Sequence, residues 1–243
     1  MRVDQTPNRS RGFFRGLFSD PRHGPLPALL IVMTMTTGIV DAVSILSLGR
    51  VFVANMTGNV VFVAFALAGA KGFSVAASLF ALAGFLLGAV GGGAALRHLK
   101  LDRAELTRNG VAVELFLLAG TLALAAAAGV PVPSWYADAI AALLATALGL
   151  QNAFVRRLAV PDLTTTVLTM TLTGIAADRP DGDATVIGRR ILAVGAMFVG
   201  GGCGALLVLR ANPAAALALA VFLMAIVCIG ATIAARSSAE WQR

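Results

Sequence analysis

The sequence predicts an all-α integral membrane protein with six transmembrane helices and two polar segments that re-enter or break within the membrane. Composition is the first observation: 58% of the residues are hydrophobic and only 13% are charged, and the mean hydropathy is +0.85. A soluble domain needs more polar surface than this. The second observation is a series of apolar runs of about 20 residues, the length that crosses the hydrocarbon core.

Six of these runs are uninterrupted enough to span: residues 25–48, 74–96, 109–129, 136–155, 188–209 and 213–235. Two further runs, 51–70 and 162–178, contain the polar stretches VFVANMTGN and DLTTTVLTMTLTGIAAD. All eight runs together define one transmembrane domain, 25–235, which lies between a basic tail, 1–24, and a short tail, 236–243. The alternative architecture has eight helical segments in two parallel repeats.

The distribution of Lys and Arg favours six spans. Cytoplasmic loops of membrane proteins collect basic residues. With six spans, 16 of the 19 Lys and Arg lie on the side of the N-terminus, and only Arg50, Lys71 and Arg210 lie on the other. With eight spans the two sides hold 11 and 8. We therefore expect both termini to be cytoplasmic.

The chain matches itself at a shift of about 111 residues. GIVDA at 38–42 aligns with GLQNA at 149–153, and GFLLGAVGGG at 84–93 aligns with AMFVGGGCG at 196–204. Repeat one is 25–129 and repeat two is 136–235. Three spans per repeat is an odd number, so the second repeat is inverted relative to the first, an arrangement found in many transporters.

Polar residues inside the apolar runs are the candidate solute path, because interrupted helices in such folds present backbone and short polar side chains at the midplane. Gly58 is expected to allow a bend. Hydrogen bonding between helices, or from Thr to its own helix, is the alternative. The path residues are Asp41, Asn55, Thr57, Gly58, Asn59, Asn152, Thr165, Thr166, Thr169 and Thr171.

Acidic residues in the membrane are costly enough to suggest function. Asp41 would carry a coupling proton or cation, or would pair with Arg50 near the outer boundary. Glu114 lies near the start of its apolar run and is expected to be a solvated interfacial group.

Small residues four apart let helix backbones approach closely. This spacing predicts packing between the halves, or between protomers of a homo-oligomer, at Gly84, Gly88, Gly92, Gly200 and Gly204. Catalytic and nucleotide-binding motifs are absent from the sequence. We expect no enzyme activity, no cofactor or metal, no nucleic-acid partner, and contact chiefly with the lipid bilayer.

The run TTGIVDAVSILSLGRVFVANMTGN, together with GLQNAFVRRL and the Thr-rich segment, resembles the YoaK-like family of bacterial multi-pass membrane proteins, a domain of unknown function. The resemblance covers roughly residues 28–235. Where the family pattern T-T-x-V-T-G is expected, this chain reads TTVLTMTLTG, with Met170 at the Gly position. The resemblance implies this fold and a location in the inner membrane of a bacterial cell, and almost nothing about biochemistry.

Two functions of different classes fit these observations. One is a transporter or channel for a small solute. The other is a membrane scaffold or accessory subunit through which no solute passes. A hydrated route to the polar segments distinguishes them.

Overall fold

A computed structural model describes residues 16–19, 21–99, 101–178, 184–237 and 240–242. Most of the predicted basic tail, residues 1–15 and 20, lies outside the described residues. From Leu26 onward, the described residues form eight α-helices and a short 3-10 helix. The helices are α1 Leu26–Ser47, α2 Met56–Leu67, α3 Val75–His98, α4 Arg103–Ala128, α5 Ser134–Leu158, α6 Thr169–Ala177, α7 Ala184–Arg210 and α8 Pro213–Ala235, and the 3-10 helix is Glu240–Gln242.

Six of these helices, α1, α3, α4, α5, α7 and α8, are long and apolar enough to cross a membrane. The other two are short. At a rise of 1.5 Å per residue, the 12 residues of α2 and the 9 residues of α6 fall well below the roughly 30 Å of hydrocarbon core. The prediction of an all-helical fold with six spanning helices is confirmed.

Local signals fix where several helices begin. The side chains of Ser74, Asp102 and Asn212 accept hydrogen bonds from the first turns of α3, α4 and α8. Asp102 and Glu105 form a full capping box, which satisfies two backbone donors that have no partner inside the helix. Helix α4 consequently starts at Arg103, six residues before the apolar run predicted from hydropathy.

The segments that carry α2 and α6 return to the level at which they start. After α1, the guanidinium group of Arg50 lies beside Gly72, just before α3. After α5, Asp162 reaches Arg190 in the second turn of α7, and Asp178 at the end of α6 reaches the same side chain. Each segment therefore leaves the bundle and rejoins it at one end, as a re-entrant segment does.

Helices α1 and α5 form the centre of the bundle, and each is more buried than any of the other spanning helices. Helix α7 packs along α1, and α3 packs along α5. Helices α4 and α8 pack on each other, α4 also contacts α5, and α8 also contacts α1. The result is a ring of four helices, α1, α8, α4 and α5, flanked by α3 and α7.

The outer surface is apolar. Leu87, Phe116, Phe198 and Phe222 are all more than half exposed on the outer faces of α3, α4, α7 and α8. Soluble monomers rarely expose a continuous apolar surface of this kind. Lipid is the solvent that this surface fits.

An ionic clamp holds α6 to α7. Arg190 has a largely buried side chain, and its Nη2 lies 2.9 Å from Asp162 Oδ1 while its Nη1 lies 2.5 Å from Asp178 Oδ2. Gly174 leaves room for the guanidinium, because a Cβ there would sit 2.6 Å from Arg190 Cζ. One cation thus joins both ends of the second re-entrant segment to a spanning helix.

Arg190→Gln is expected to lower the free energy of unfolding by about 1–2 kcal/mol, less than for a deeply buried pair because Asp178 is half exposed. Thermal unfolding in lipid-containing micelles measures this loss of stability. Arg210→Gln, at the exposed end of the same helix, is the control and should change little. Equal effects of the two substitutions would contradict the clamp.

Candidate functional site

The polar residues of the bundle centre come from α1, α5 and the extended stretch before α6. Gln151 on α5 is fully buried. Its Nε2 donates to Thr165 Oγ1 at 2.6 Å and approaches Thr37 Oγ1 on α1 at 3.4 Å. Gln151 therefore connects the two central helices with the re-entrant segment of the second half.

Hydrogen-bond accounting fixes the orientation of the Gln151 amide. A hydroxyl has one proton to donate. Thr37 donates its proton to Met33 O and Thr165 donates to Thr164 O, so both hydroxyls can only accept from Gln151. Its Nε2 must face them, and Oε1 is left buried with no hydrogen-bond partner among the described residues.

Asn152, the next residue of α5, faces the same segment from its other side. Its Nδ2 donates to Thr166 Oγ1 at 2.8 Å and lies 3.3 Å from Leu148 O. Asn152 also lies in the wall of a cleft of about 300 Å³, together with Thr164, Val167 and Arg156. Arg156 is exposed near the end of α5, so the cleft leads from the basic end of that helix to Asn152.

Asp41 lies on α1, at the position that the sequence alignment of the predicted repeats pairs with Asn152. The backbone amides of Val53 and Ala54, in the extended stretch before α2, face its carboxyl group. Its Oδ1 is buried with no hydrogen-bond partner among the described residues. Asp41 and Arg50 do not form an ion pair, so the pairing that the sequence suggested as an alternative is absent.

Asn59 serves the local fold. Its Oδ1 accepts from the backbone N–H of Phe52 at 2.9 Å, and its Nδ2 donates to the carbonyl of Phe52 at 2.6 Å. The side-chain amide thus pairs with both backbone groups of Phe52, as a neighbouring strand would, and it holds the extended stretch against α2. Asn59 is the only buried residue of α2.

The other path residues of the first half lie at the start of α2. Asn55 and Thr57 are exposed, and neither side chain forms a hydrogen bond with a described residue. Gly58 lies inside α2 rather than at a bend; a Cβ there would meet the ring of Phe52 at 2.6 Å. The chain turns earlier, where Gly49 and Arg50 have positive φ.

The threonines of the Thr-rich segment 162–178 lie in three different environments. Thr165 and Thr166 are buried and accept from α5. Thr171 is the only buried residue of α6. Thr169 is exposed at the first position of α6, and its carbonyl accepts from the hydroxyl of Thr173.

The glycine stripes lie in the closest helix contacts of the bundle. A Cβ on Gly88 would sit 2.0 Å from Thr146 O, and one on Gly200 would sit 2.0 Å from Met35 O. Gly84 and Gly92 contact α5 in the same way, and Gly204 contacts α1. These contacts join α3 to α5 and α7 to α1.

The prediction for Glu114 is wrong. Glu114 is fully buried, and neither carboxyl oxygen has a hydrogen-bond partner among the described residues. The error follows from the start of α4, since the capping box at Asp102 places Glu114 eleven residues inside the helix. Gln151 was missed as well, although a lone Gln in an apolar run is itself a signal that a buried amide needs partners.

Comparisons with known proteins identify the family of the chain. The family model described as "Protein of unknown function (DUF1275)" matches residues 29–230. The chain is 34% identical, over 157 residues, to "UPF0700 transmembrane protein YoaK" of Bacillus subtilis (strain 168), covering 62% of this chain and 65% of that protein. The match thus spans slightly less than two thirds of the relative's length. No solved structure matches the chain significantly. The chain is a multi-pass membrane protein and belongs to the DUF1275 family.

Proposed function

We propose that the protein is a transporter or channel for a small solute in the bacterial inner membrane, with the solute path between two inverted halves. The observation that carries the proposal is the cleft of about 300 Å³ that leads to Asn152. This volume is at the lower end of the range for ligand sites, so the solute is small. The wall offers amide and hydroxyl groups, with Arg156 as its one charged member.

The short helices support a path at this place. An extended backbone is tolerated at membrane depth only where it is buried in protein or lines a water-filled cavity. Both extended stretches, before α2 and before α6, meet a polar side chain of a central helix, Asp41 in one half and Asn152 in the other. A scaffold subunit would have no need for two such interruptions.

The helix contacts support two related halves. Gly88 against Thr146 corresponds to Gly200 against Met35 under the repeat alignment. The pairs α3–α5 and α7–α1, and likewise α4–α5 and α8–α1, correspond in the same way. Three spanning helices in each half would give the two halves opposite orientations in the membrane, and the count of basic residues favours cytoplasmic termini.

Labelling of single cysteines with an impermeant thiol reagent tests the proposal. Cys203 and Cys228 are first replaced, and cysteines are then placed at Asn55 and Thr164. We expect Asn55→Cys to react only from the outside and Thr164→Cys only from the cytoplasmic side, because inverted halves open their polar segments to opposite sides. Phe198→Cys, on the lipid-facing surface of α7, is the control and should not react.

Two results would overturn the proposal. Reaction of both cysteines from one side would mean parallel halves. Absence of reaction at Thr164 from either side, with Asn55 reactive, would mean that water does not reach Asn152, and the scaffold function would then be favoured.

A further inference from the structure

Glu114 is an acid with no use in the path described above. It lies in the middle of α4, within the ring formed by α1, α8, α4 and α5, and it has no exposed surface. Both carboxyl oxygens lack a hydrogen-bond partner among the described residues. An ionised carboxylate in such surroundings is very costly unless it is paired.

The helix register places Gln151 at the same level as Glu114. A Cβ on Gly110 would contact the ring of Phe154 at 2.6 Å, so α4 meets α5 there. Glu114 is four residues beyond Gly110, and Gln151 is three residues before Phe154, so each lies on the contact face of its own helix. Helices α4 and α5 are joined by residues 129–133 and pack along each other, so they run in opposite directions. Going forward along α4 from Gly110 to Glu114 is therefore the same direction in space as going back along α5 from Phe154 to Gln151.

The unpartnered atoms at this level are all acceptors. They are the two carboxyl oxygens of Glu114 and Oε1 of Gln151, which the hydroxyls of Thr37 and Thr165 force to point away from themselves. A protonated carboxyl group has one O–H donor. A single proton would therefore remove the charge of Glu114 and supply the donor that Gln151 lacks.

The charged groups on the described elements around Glu114 lie toward the helix ends, apart from Asp41 on α1, whose carboxyl group faces the backbone of Val53 and Ala54. Helix α8 has no acidic or basic residue, and its buried residues, which include Met224, are apolar. The titratable groups on these elements are Asp41 on α1, Arg103, Glu105 and Arg108 on α4, Tyr136, Asp138, Arg156 and Arg157 on α5, and Cys228 on α8. A counter-cation for an ionised Glu114 is not found among these residues.

We propose that Glu114 is a proton-binding site at the centre of the bundle, in which the protonated carboxyl group donates to Oε1 of Gln151. The inference rests on the proposed transport function only for the use of the proton, which would be released when the central helices separate. The binding itself follows from the burial of Glu114 and the orientation of Gln151.

Infrared spectroscopy of the full chain in liposomes tests the site without any solute. We expect the carbonyl stretch of a protonated carboxylic acid near neutral pH, shifted to lower frequency after exchange into D2O. Glu114→Gln should remove this band and leave the protein folded, because Gln is nearly isosteric with the neutral acid. Asp41→Asn is the matched control and should retain the band.

Gln151→Leu provides a second readout if Glu114→Gln does not fold. The band should remain and move to higher frequency, because the carbonyl group of an acid that has lost its hydrogen-bond acceptor has a stronger C=O bond. A wild-type protein without the band, a band unaffected by Glu114→Gln, or a band that does not exchange with D2O would each overturn the proposal. Cysteine labelling that excludes a solute path would overturn transport and leave a proton site detected in this way intact.

Discussion

Gly88→Ala is expected to lower the free energy of unfolding by about 3 kcal/mol or more, the upper end of the cost of overpacking. The new Cβ would sit 2.0 Å from Thr146 O and 2.9 Å from the backbone nitrogen of Leu150. These are main-chain atoms of α5 and cannot rotate away, so α3 and α5 must separate along the longest helix contact in the bundle. Unfolding by SDS titration in mixed micelles measures the loss.

Gly91→Ala is the matched control on the same helix. A Cβ at Gly91 meets no atom within 4 Å, and Ala favours a helix by about 1 kcal/mol over Gly, so stability should stay the same or rise. Gly200→Ala and Gly202→Ala provide the corresponding pair on α7. If Gly88→Ala and Gly91→Ala unfold at the same SDS concentration, the close contact between α3 and α5 is wrong.

Asn59→Ala is expected to cost about 2–5 kcal/mol, because it leaves both the N–H and the C=O of Phe52 without a partner in an apolar environment. The extended stretch before α2 should then detach from the helix. Proteolysis at this stretch and SDS unfolding both report the change.

Asn55→Ala is the control for this substitution. Asn55 lies in the same segment, is exposed, and its side chain forms no hydrogen bond with a described residue, so the effect should stay below about 0.5 kcal/mol. Asn59→Asp keeps the acceptor for the N–H and loses the donor to the carbonyl, and should give an intermediate result. An Asn59→Ala protein as stable as Asn55→Ala would show that the pairing with Phe52 is unimportant.

The number of spanning helices could be predicted from the sequence because an apolar run of about 20 residues has few alternatives in a membrane. The ends of the helices were harder to predict. Hydropathy marks where a helix enters lipid, whereas a capping residue marks where its backbone hydrogen bonding begins or stops. Helix α4 shows the difference: the apolar run begins near 109, but the capping box starts the helix at Arg103. That shift is the reason why Glu114 was placed at the surface.

The centre of the site depends on contacts between distant parts of the chain. Thr37 and Gln151 are separated by 114 residues, and no periodicity in the sequence connects them. Asn59, by contrast, pairs with Phe52, only seven residues away. Both outcomes are set by which polar group is within reach in the folded chain.

The short helices have a consequence for how the site is enclosed. Helices α2 and α6 each bury a single residue, and the outward side chains Val60, Phe65 and Leu172 are largely exposed. Protein covers these helices on one side only, so acyl chains form the outer wall of both re-entrant segments. A change in bilayer thickness, or replacement of lipid by detergent, is therefore expected to act directly on the two elements that approach the proposed solute path.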